Sequence, residues 1–311
     1  ASNTFVLMSK EFVKSFSSLT PDSHLLIFGA GFSGQRIAKL AKASGAKVLC
    51  SRRKITSPFA DFEFDSTKSD LPSLDCLKNT THIISCIPPG PDGEDPVLTR
   101  LLKQLKDMPL QWVGYLSTTG VYGDSKGEWV REEDLPKPEQ PRSQRRLACE
   151  QAWQDSGLPI QILRLPGIYG PTRSALENFK TSKCKIIEKP GQVFSRIHVD
   201  DIAKATLHLI QKTSEGEWPL IVNIADDLPT SNKEVLNYAA KLLNVPSPRI
   251  EPFDIAFKEM SEMARSFWKE NRRVSNNLLC KKLGYSLIHP NYQSGLQECL
   301  KHFKVQKKHL S

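Results

Sequence analysis

The sequence has no Cys-x-x-Cys pair and no cysteine–histidine cluster at zinc spacing, although it carries seven cysteines. This excludes a zinc-ribbon or finger-like framework. It points to a cytoplasmic or other reducing soluble compartment, and no metal site is expected. Cys50 and Cys86 lie in apolar runs, where cysteine serves as a small core hydrophobe. No apolar run approaches the length that crosses a bilayer, so no membrane partner is expected. Residues 1–20 mix Lys10, Glu11 and Lys14 with Phe5, Phe12 and Phe16, which is not the pattern of a secretory signal. With Ala1 in first place instead of Met, a removed leader stays open. There is no internal repeat and no low-complexity linker. The formal charge of +9 is dispersed, with local runs at Ser51–Lys54, Arg142–Arg146 and Lys301–Lys308. A nucleic-acid partner would need a continuous basic groove, and none is expected.

What is present is an ordinary globular composition. A chain of 311 residues, 39% of them hydrophobic, can bury one large α/β unit or two closely joined domains. Its organising stretch is Leu25–Ala43. An apolar run (Leu25-Leu26-Ile27-Phe28) leads into Gly29-Ala30-Gly31-Phe32-Ser33-Gly34, and Ile37, Leu40 and Ala41 follow at helical spacing. A Gly-x-Gly-x-x-Gly between a strand and a helix is informative because each glycine has a physical task. Gly29 makes the tight turn, Gly31 lets backbone approach a pyrophosphate, and Gly34 lets the helix pack close to the sheet. The helix amino end, through Phe32 and Ser33, offers N–H donors and a positive dipole to an anion. The alternative is a plain strand-to-helix turn.

Lys47-Val48-Leu49-Cys50 predicts a second strand ending in Ser51-Arg52-Arg53-Lys54. A carboxylate there would accept from the ribose 2′-hydroxyl of NAD, whereas arginine accommodates the 2′-phosphate of NADP. Arg52 and Arg53, with Ser51 as an auxiliary donor, therefore point to NADP(H) over NAD(H). The alternative is a solvated basic turn. Phe62–Asp65 predicts a short third strand, with Asp65 bonding the adenine amine or capping the next turn. Thr81–Ile87 predicts a buried fourth strand, placing Ser85 to Pro88, and Ile87 and Pro88 in particular, against the cofactor; His82 within it reads as structural. A helix over Pro96–Leu105, strands over Trp112–Leu116 and Pro159–Arg164, and a helix over Arg145–Asp155 complete the alternation. The expected fold class is α/β, a Rossmann-type doubly wound parallel sheet. Residues 1–165 would form the NAD(P)-binding domain. Residues 166–311 would form a smaller C-terminal substrate-binding lid, with strands near 193–225 returning to the core. Helices are expected over Asn232–Leu243, Ile255–Glu270 and Gln293–Phe303.

The glycine loop, Ser117-Thr118-Thr119-Gly120-Val121-Tyr122-Gly123, Arg164-Leu165-Pro166-Gly167-Ile168-Tyr169-Gly170-Pro171 and His198-Val199-Asp200-Asp201-Ile202-Ala203 occur in an order that resembles the extended short-chain dehydrogenases/reductases, the NAD-dependent epimerase/dehydratase group. Asn223–Asp227 and Leu283-Gly284-Tyr285 are similar to the same group, so the resemblance spans roughly residues 24–300. The resemblance implies a nicotinamide cofactor, a homodimer, and a Ser/Thr with a Tyr-x-x-x-Lys pair that handles the substrate proton. Thr118 falls at the hydroxyl position. Where the pair should stand, the chain reads Pro141-Arg142-Ser143-Gln144-Arg145-Arg146, which puts Arg142 in place of the tyrosine and Arg146 in place of the lysine.

Arginine stays protonated and cannot shuttle a proton as tyrosine does. Arg146 can still donate to ribose hydroxyls, and Arg142 with Arg145 could clamp a carboxylate or phosphate. The candidate catalytic set is therefore Thr118, Tyr122, Arg142 and Arg146, with Tyr122, Tyr169 and His198 each also readable as scaffold. Two functions follow. One is an NADP(H)-binding epimerase/dehydratase-like oxidoreductase acting on an unknown anionic small molecule. The other is a non-catalytic NADP(H)-binding redox sensor or partner-binding module.

Overall fold

The computed structural model describes residues 19–68, 73 and 75–307. Seven strands build the central sheet: β1 (His24–Phe28), β2 (Lys47–Arg52), β3 (Phe62–Glu63), β4 (His82–Ser85), β5 (Trp112–Thr118), β6 (Ile160–Leu165) and β7 (Ile221–Asn223). Their spatial order is β7-β6-β5-β4-β1-β2-β3, and β1 pairs in parallel with both β2 and β4. Strands buried on both faces read as continuous apolar runs, which is why Leu25–Phe28 and Ile83–Ile84 are so uniformly hydrophobic and so fully enclosed. The chain order reverses between β1 and β4, and at such a switch point the carboxyl ends of the strands open a ligand crevice.

Helix α1 (Phe32–Ala43) follows β1 directly and buries Gly34, Ile37, Ala38 and Ala41. Helix α2 (Pro96–Lys106) starts on Asp95, whose carboxylate accepts from the amides of Val97 and Leu98 at 3.0 Å each and from Trp153 Nε1 at 2.9 Å. Capping two amides that have no partner within the helix is what an N-terminal aspartate does best. Helix α3 spans Pro141–Gln154 and α4 spans Val199–Ser214. Val97, Leu101 and Leu105 of α2 join Phe28, Ile83, Val113 and Trp153 in the main core.

The described residues group into two compact units. Those within 1–117, 145–163 and 202–222 form unit 1, and those within 118–144, 164–201 and 223–311 form unit 2. The grouping is not a single cut in the chain. Long excursions leave the sheet after β5 and β6, and β7 brings the chain back to it beside β6.

Unit 2 is made of small pieces. Strand 167–169 pairs with 196–198, strand 185–188 with 249–252, and 129–130 with 273–274, all in parallel. Helices Asn232–Leu243 and Tyr292–Lys307 contribute to a second core containing Tyr169, Leu176, Ala239, Leu296 and Phe303. Three sequence expectations need correcting. The third strand stops at Glu63, because Asp65 turns the chain by accepting from the amide and hydroxyl of Thr67. The strand expected over Val193–His198 begins only at Arg196. The single helix expected over Ile255–Glu270 is two, Phe253–Glu259 and Glu262–Lys269, because Ser261 is extended and caps the second by accepting from the amide of Ala264.

Candidate functional site

In unit 1 the glycine loop sits at the switch point. Gly29 is left-handed (φ +77°), and a Cβ placed on it would lie 2.8 Å from Ile87 Cγ1. Only glycine fits a position that is both left-handed and in contact with the neighbouring strand's exit. At Gly34 a Cβ would come within 3.3 Å of Gly29 O and of Ile27 Cγ2, so the missing side chain is what lets α1 approach β1. Gly31 differs: an added Cβ would meet only Gly29 O, at 3.9 Å, and otherwise project into open space. No side chain caps α1 and no acidic residue stands in its first turn. An uncapped helix start beneath a bare glycine is a cradle for an anion, and Phe32 and Ser33 form its first turn.

Ser51 braces this loop. Its hydroxyl accepts from the Gly29 amide at 3.1 Å and its carbonyl accepts from Ala30 at 3.0 Å. Arg52 lies across the same loop, with Nη1 donating to Ala30 O at 2.9 Å and Pro58 O at 3.1 Å, while Arg53 is exposed. Asp65 is committed to the Thr67 turn, whose hydrogen bonds, chiefly that from the Thr67 hydroxyl, hold its carboxyl below the usual range. Ile87 touches the loop through Gly29, and Pro88 follows it exposed. The structure thus gathers Gly29, Gly31, Phe32, Ser33, Gly34, Ser51, Arg52 and Ile87 around one helix start.

Arg146 also belongs to unit 1. Its Nη1 donates to Leu116 O at 2.8 Å, and its guanidinium stands 5.8 Å from the centre of the Tyr115 ring. Its charge reaches Cys86, whose thiol burial pushes up to about 12 and Arg146 opposes. Arg146 therefore reports on both β4 and β5 at their carboxyl ends. Next to it, the Ser117 hydroxyl donates to the fully buried Glu150. Arg145 packs its stem against Gly93.

The remaining candidates lie in unit 2. Thr118 Oγ1 accepts from the Gly120 amide at 3.1 Å, capping a turn of 3-10 helix over Thr119–Tyr122. The Tyr122 hydroxyl is buried and donates to Asn223 Oδ1 at 2.6 Å, its ring faces Arg164 at 4.9 Å, and burial pushes its pKa up to about 12. Arg142 Nη1 donates to Ser266 Oγ at 2.7 Å and its guanidinium stacks 4.5 Å from the Phe267 ring centre. Tyr169 is buried, and burial raises its pKa far above the ordinary phenol range.

The segment His198–Asp201 is tied into the fold by hydrogen bonds and ring packing. Asp201 accepts from the Tyr285 hydroxyl at 2.5 Å and from the amides of Ile288 and His289 at 2.8 and 2.9 Å. Burial raises its carboxyl pKa, against the pull of those bonds. Among the described residues His198, Asp200 and His289 bring three ligand-type atoms within 4.8 Å of one another. The two rings, however, lie in tilted stacking with centroids 4.2 Å apart, and their Nδ1 atoms are engaged by the Asp200 amide and by Ser294. That geometry serves packing. Sequence reasoning missed Asn223 and Glu132, which hold the inner end of Tyr122: Glu132 accepts from the Asn223 amide at 3.0 Å. Nothing local in Val130–Glu133 signals a pairing that spans 91 residues.

Comparison with known proteins places these features. Residues 97–225 match the NAD-dependent epimerase/dehydratase family. A functionally unknown conserved protein from Silicibacter pomeroyi is 36% identical, with a TM-score of 0.79 over 90% of this chain and 98% of that one. A 3-diazoavenalumate denitrifying reductase from a Streptomyces species is 25% identical over 52% of this chain. The chain spans about half the length of the curated relatives it matches. The same fold is seen in UDP-glucuronic acid 4-epimerase from Bacillus cereus, solved with NAD, at 20% identity and a TM-score of 0.70 over 91% of this chain and 99% of that one. No helix among the described residues is long and apolar enough to cross a membrane.

Proposed function

Since the chain belongs to the extended short-chain dehydrogenase/reductase superfamily, we propose that it is an NADP(H)-binding, epimerase/dehydratase-like oxidoreductase for an anionic small molecule, with a rebuilt proton-handling centre. The observation that carries this is the uncapped start of α1 beneath Gly31, which fits a pyrophosphate. Gly31, Phe32 and Ser33 would hold the pyrophosphate, and Ile87 would wall the cleft. Preference for NADP(H) rests on the end of β2, where Arg52 is fixed over the loop and Arg53 stays in solvent. A guanidinium pair meets a 2′-phosphate bidentately, whereas a ribose hydroxyl gains little from it. When bound, the nicotinamide would supply or accept a hydride.

The candidate residues would orient more than they titrate. Arg146, anchored on Leu116 O, stands in the lysine's place; it is a permanent cation that can donate to ribose hydroxyls and cannot give up a proton. Arg142 stands in the tyrosine's place, bound to Ser266 and stacked on Phe267, so no phenol is supplied there. The Thr118 oxygen accepts from Gly120, which leaves its own O–H to donate to a substrate oxygen. An unassisted hydroxyl is a weak acid, so turnover should be slow. The commitment of the Tyr122 hydroxyl to Asn223 favours a second function, an NADP(H)-sensing module without turnover. Calorimetric titration with NADPH and NADH tests the proposal. Selective NADPH binding supports it; failure to bind either nucleotide overturns both functions. Hydride exchange from labelled NADPH into carbonyl substrates then separates enzyme from sensor.

A further inference from the structure

We infer that unit 2 carries a binding site for a small organic carboxylate with an apolar body, in the cavity onto which Tyr169, Arg173, Arg196, Leu236 and Leu296 open. This does not rest on the nucleotide proposal, because all of its lining residues lie in unit 2. The cavity holds about 320 Å³, within the range of small-molecule sites. Its lining includes two guanidiniums and no carboxylate; Ser174, Asn178 and Asn232 add neutral polar groups, and the remaining wall is aliphatic and aromatic.

The polar groups are arranged for a negatively charged guest. Strand alternation puts Arg196, His198 and Tyr169 on one face of the 167–169/196–198 pair, since Tyr169 is in register with His198. Arg196 Nη1 and the Tyr169 hydroxyl are both buried without a hydrogen-bond partner. A buried donor left unsatisfied destabilises a protein, and native structures rarely keep two around one cavity without a partner to complete them. Both groups donate, and a planar carboxylate can accept from a guanidinium and a phenol together.

The neighbouring acids do not cancel Arg196. Asp226 and Glu234 are the carboxylates whose charge it feels, and burial is the larger influence on it. Asp226 Oδ1 is taken by the Leu228 amide at 3.0 Å, and burial pushes the Asp226 carboxyl up to about 7, so near neutrality it is only partly ionised. Arg196 is charged at any relevant pH. The apolar share of the lining, to which Leu236 and Leu296 contribute, disfavours a strongly hydrated inorganic anion and suits an aryl or alkyl body. Gly295 makes the arrangement possible: a Cβ there would collide with the Tyr169 hydroxyl.

The test uses the full chain and three probes: phenylacetate, its neutral isostere phenylacetamide, and inorganic phosphate, each titrated by calorimetry and by ligand-observed NMR. Phenylacetate should saturate with one site per chain, and the amide and phosphate should bind at least about tenfold more weakly, equivalent to about 1.4 kcal/mol. Arg196→Met should weaken phenylacetate by at least about the same factor and leave the NADPH titration unchanged. Arg173→Glu, an exposed rim change that leaves the core intact, should also weaken phenylacetate. Absence of saturable phenylacetate binding, equal binding of the amide or of phosphate, or a folded Arg173→Glu protein with unaltered affinity would each overturn the inference. Loss of NADPH binding with phenylacetate retained would overturn the nucleotide proposal alone.

Discussion

Under the two proposals the compact units would place donors around an anion by different means. In unit 1 the donors are backbone: a glycine turn, a helix start and a brace from Ser51 one strand away, all within residues 29–52. In unit 2 they are side chains, Arg196 and Tyr169, aligned by a short pair of strands and enclosed by helices more than thirty residues further on. A backbone site is specified by local conformation, so its sequence pattern is compact. A side-chain site is specified by packing, and its residues carry no spacing that a sequence displays.

The largest expected effect breaks unit 2. Asp201→Ala removes the acceptor of three donors and should destabilise unit 2 by about 3 kcal/mol, seen as faster hydrogen exchange around residues 285–289 while the amides of β1 and β4 keep their protection. If β1 and β4 lose protection equally, the two units do not respond separately.

Falling pH and rising pH should weaken different units. His82 is buried in β4 and burial lowers its pKa from 6.5 to about 4. Between those values the unfolded chain binds the proton and the folded chain does not, so stability is fully present above pH 6.5 and is lost as pH falls toward 4, by up to about 3 kcal/mol. Asp226 has its carboxyl raised from 3.8 to about 7, chiefly by burial. Its contribution is present below pH 3.8 and is lost as pH rises through 7. In chemical unfolding measured across pH, His82→Gln should remove the loss of stability on falling from pH 6.5 to 4, and Asp226→Asn the loss on rising from pH 3.8 to 7.

A smaller effect sharpens the nucleotide site. Gly29→Ala forces a Cβ against Ile87 in a left-handed residue and should cost about 1–2 kcal/mol of stability together with most NADPH affinity, while phenylacetate binding by unit 2 persists. The smallest is Arg52→Ala with Arg53→Ala, which should weaken NADPH by about tenfold and NADH much less by calorimetry. Equal weakening of both would remove the 2′-phosphate assignment.

How much of this was legible in the sequence depended on how local the signal was. The helix Asn232–Leu243 has the expected ends because a capping box, Ser231 with Glu234, stops it on one side and left-handed Asn244 on the other. The same kind of signal, Ser261 before Glu262, marks the break that divides 253–269, and the apolar periodicity of that stretch conceals it. The two-residue strands 129–130 and 273–274 pair across more than 140 residues and leave no local trace. Tyr122 illustrates the limit within the candidate site. Its motif left it readable both as a catalytic candidate and as scaffold, and only Asn223, 101 residues away, shows where its hydroxyl goes.

By itself the sequence determined the strand–glycine–helix start of unit 1 and the alternation that makes the sheet. These are properties of backbone conformation and side-chain chemistry that neighbouring residues set. Tertiary structure alone decided that Ser51 braces the loop, that Arg142 rests on Ser266 and Phe267, and that Arg196 and Tyr169 open onto one cavity. Each of those depends on which side chains from distant segments share a buried space, and burial fixes their partners by packing and desolvation instead of by order along the chain.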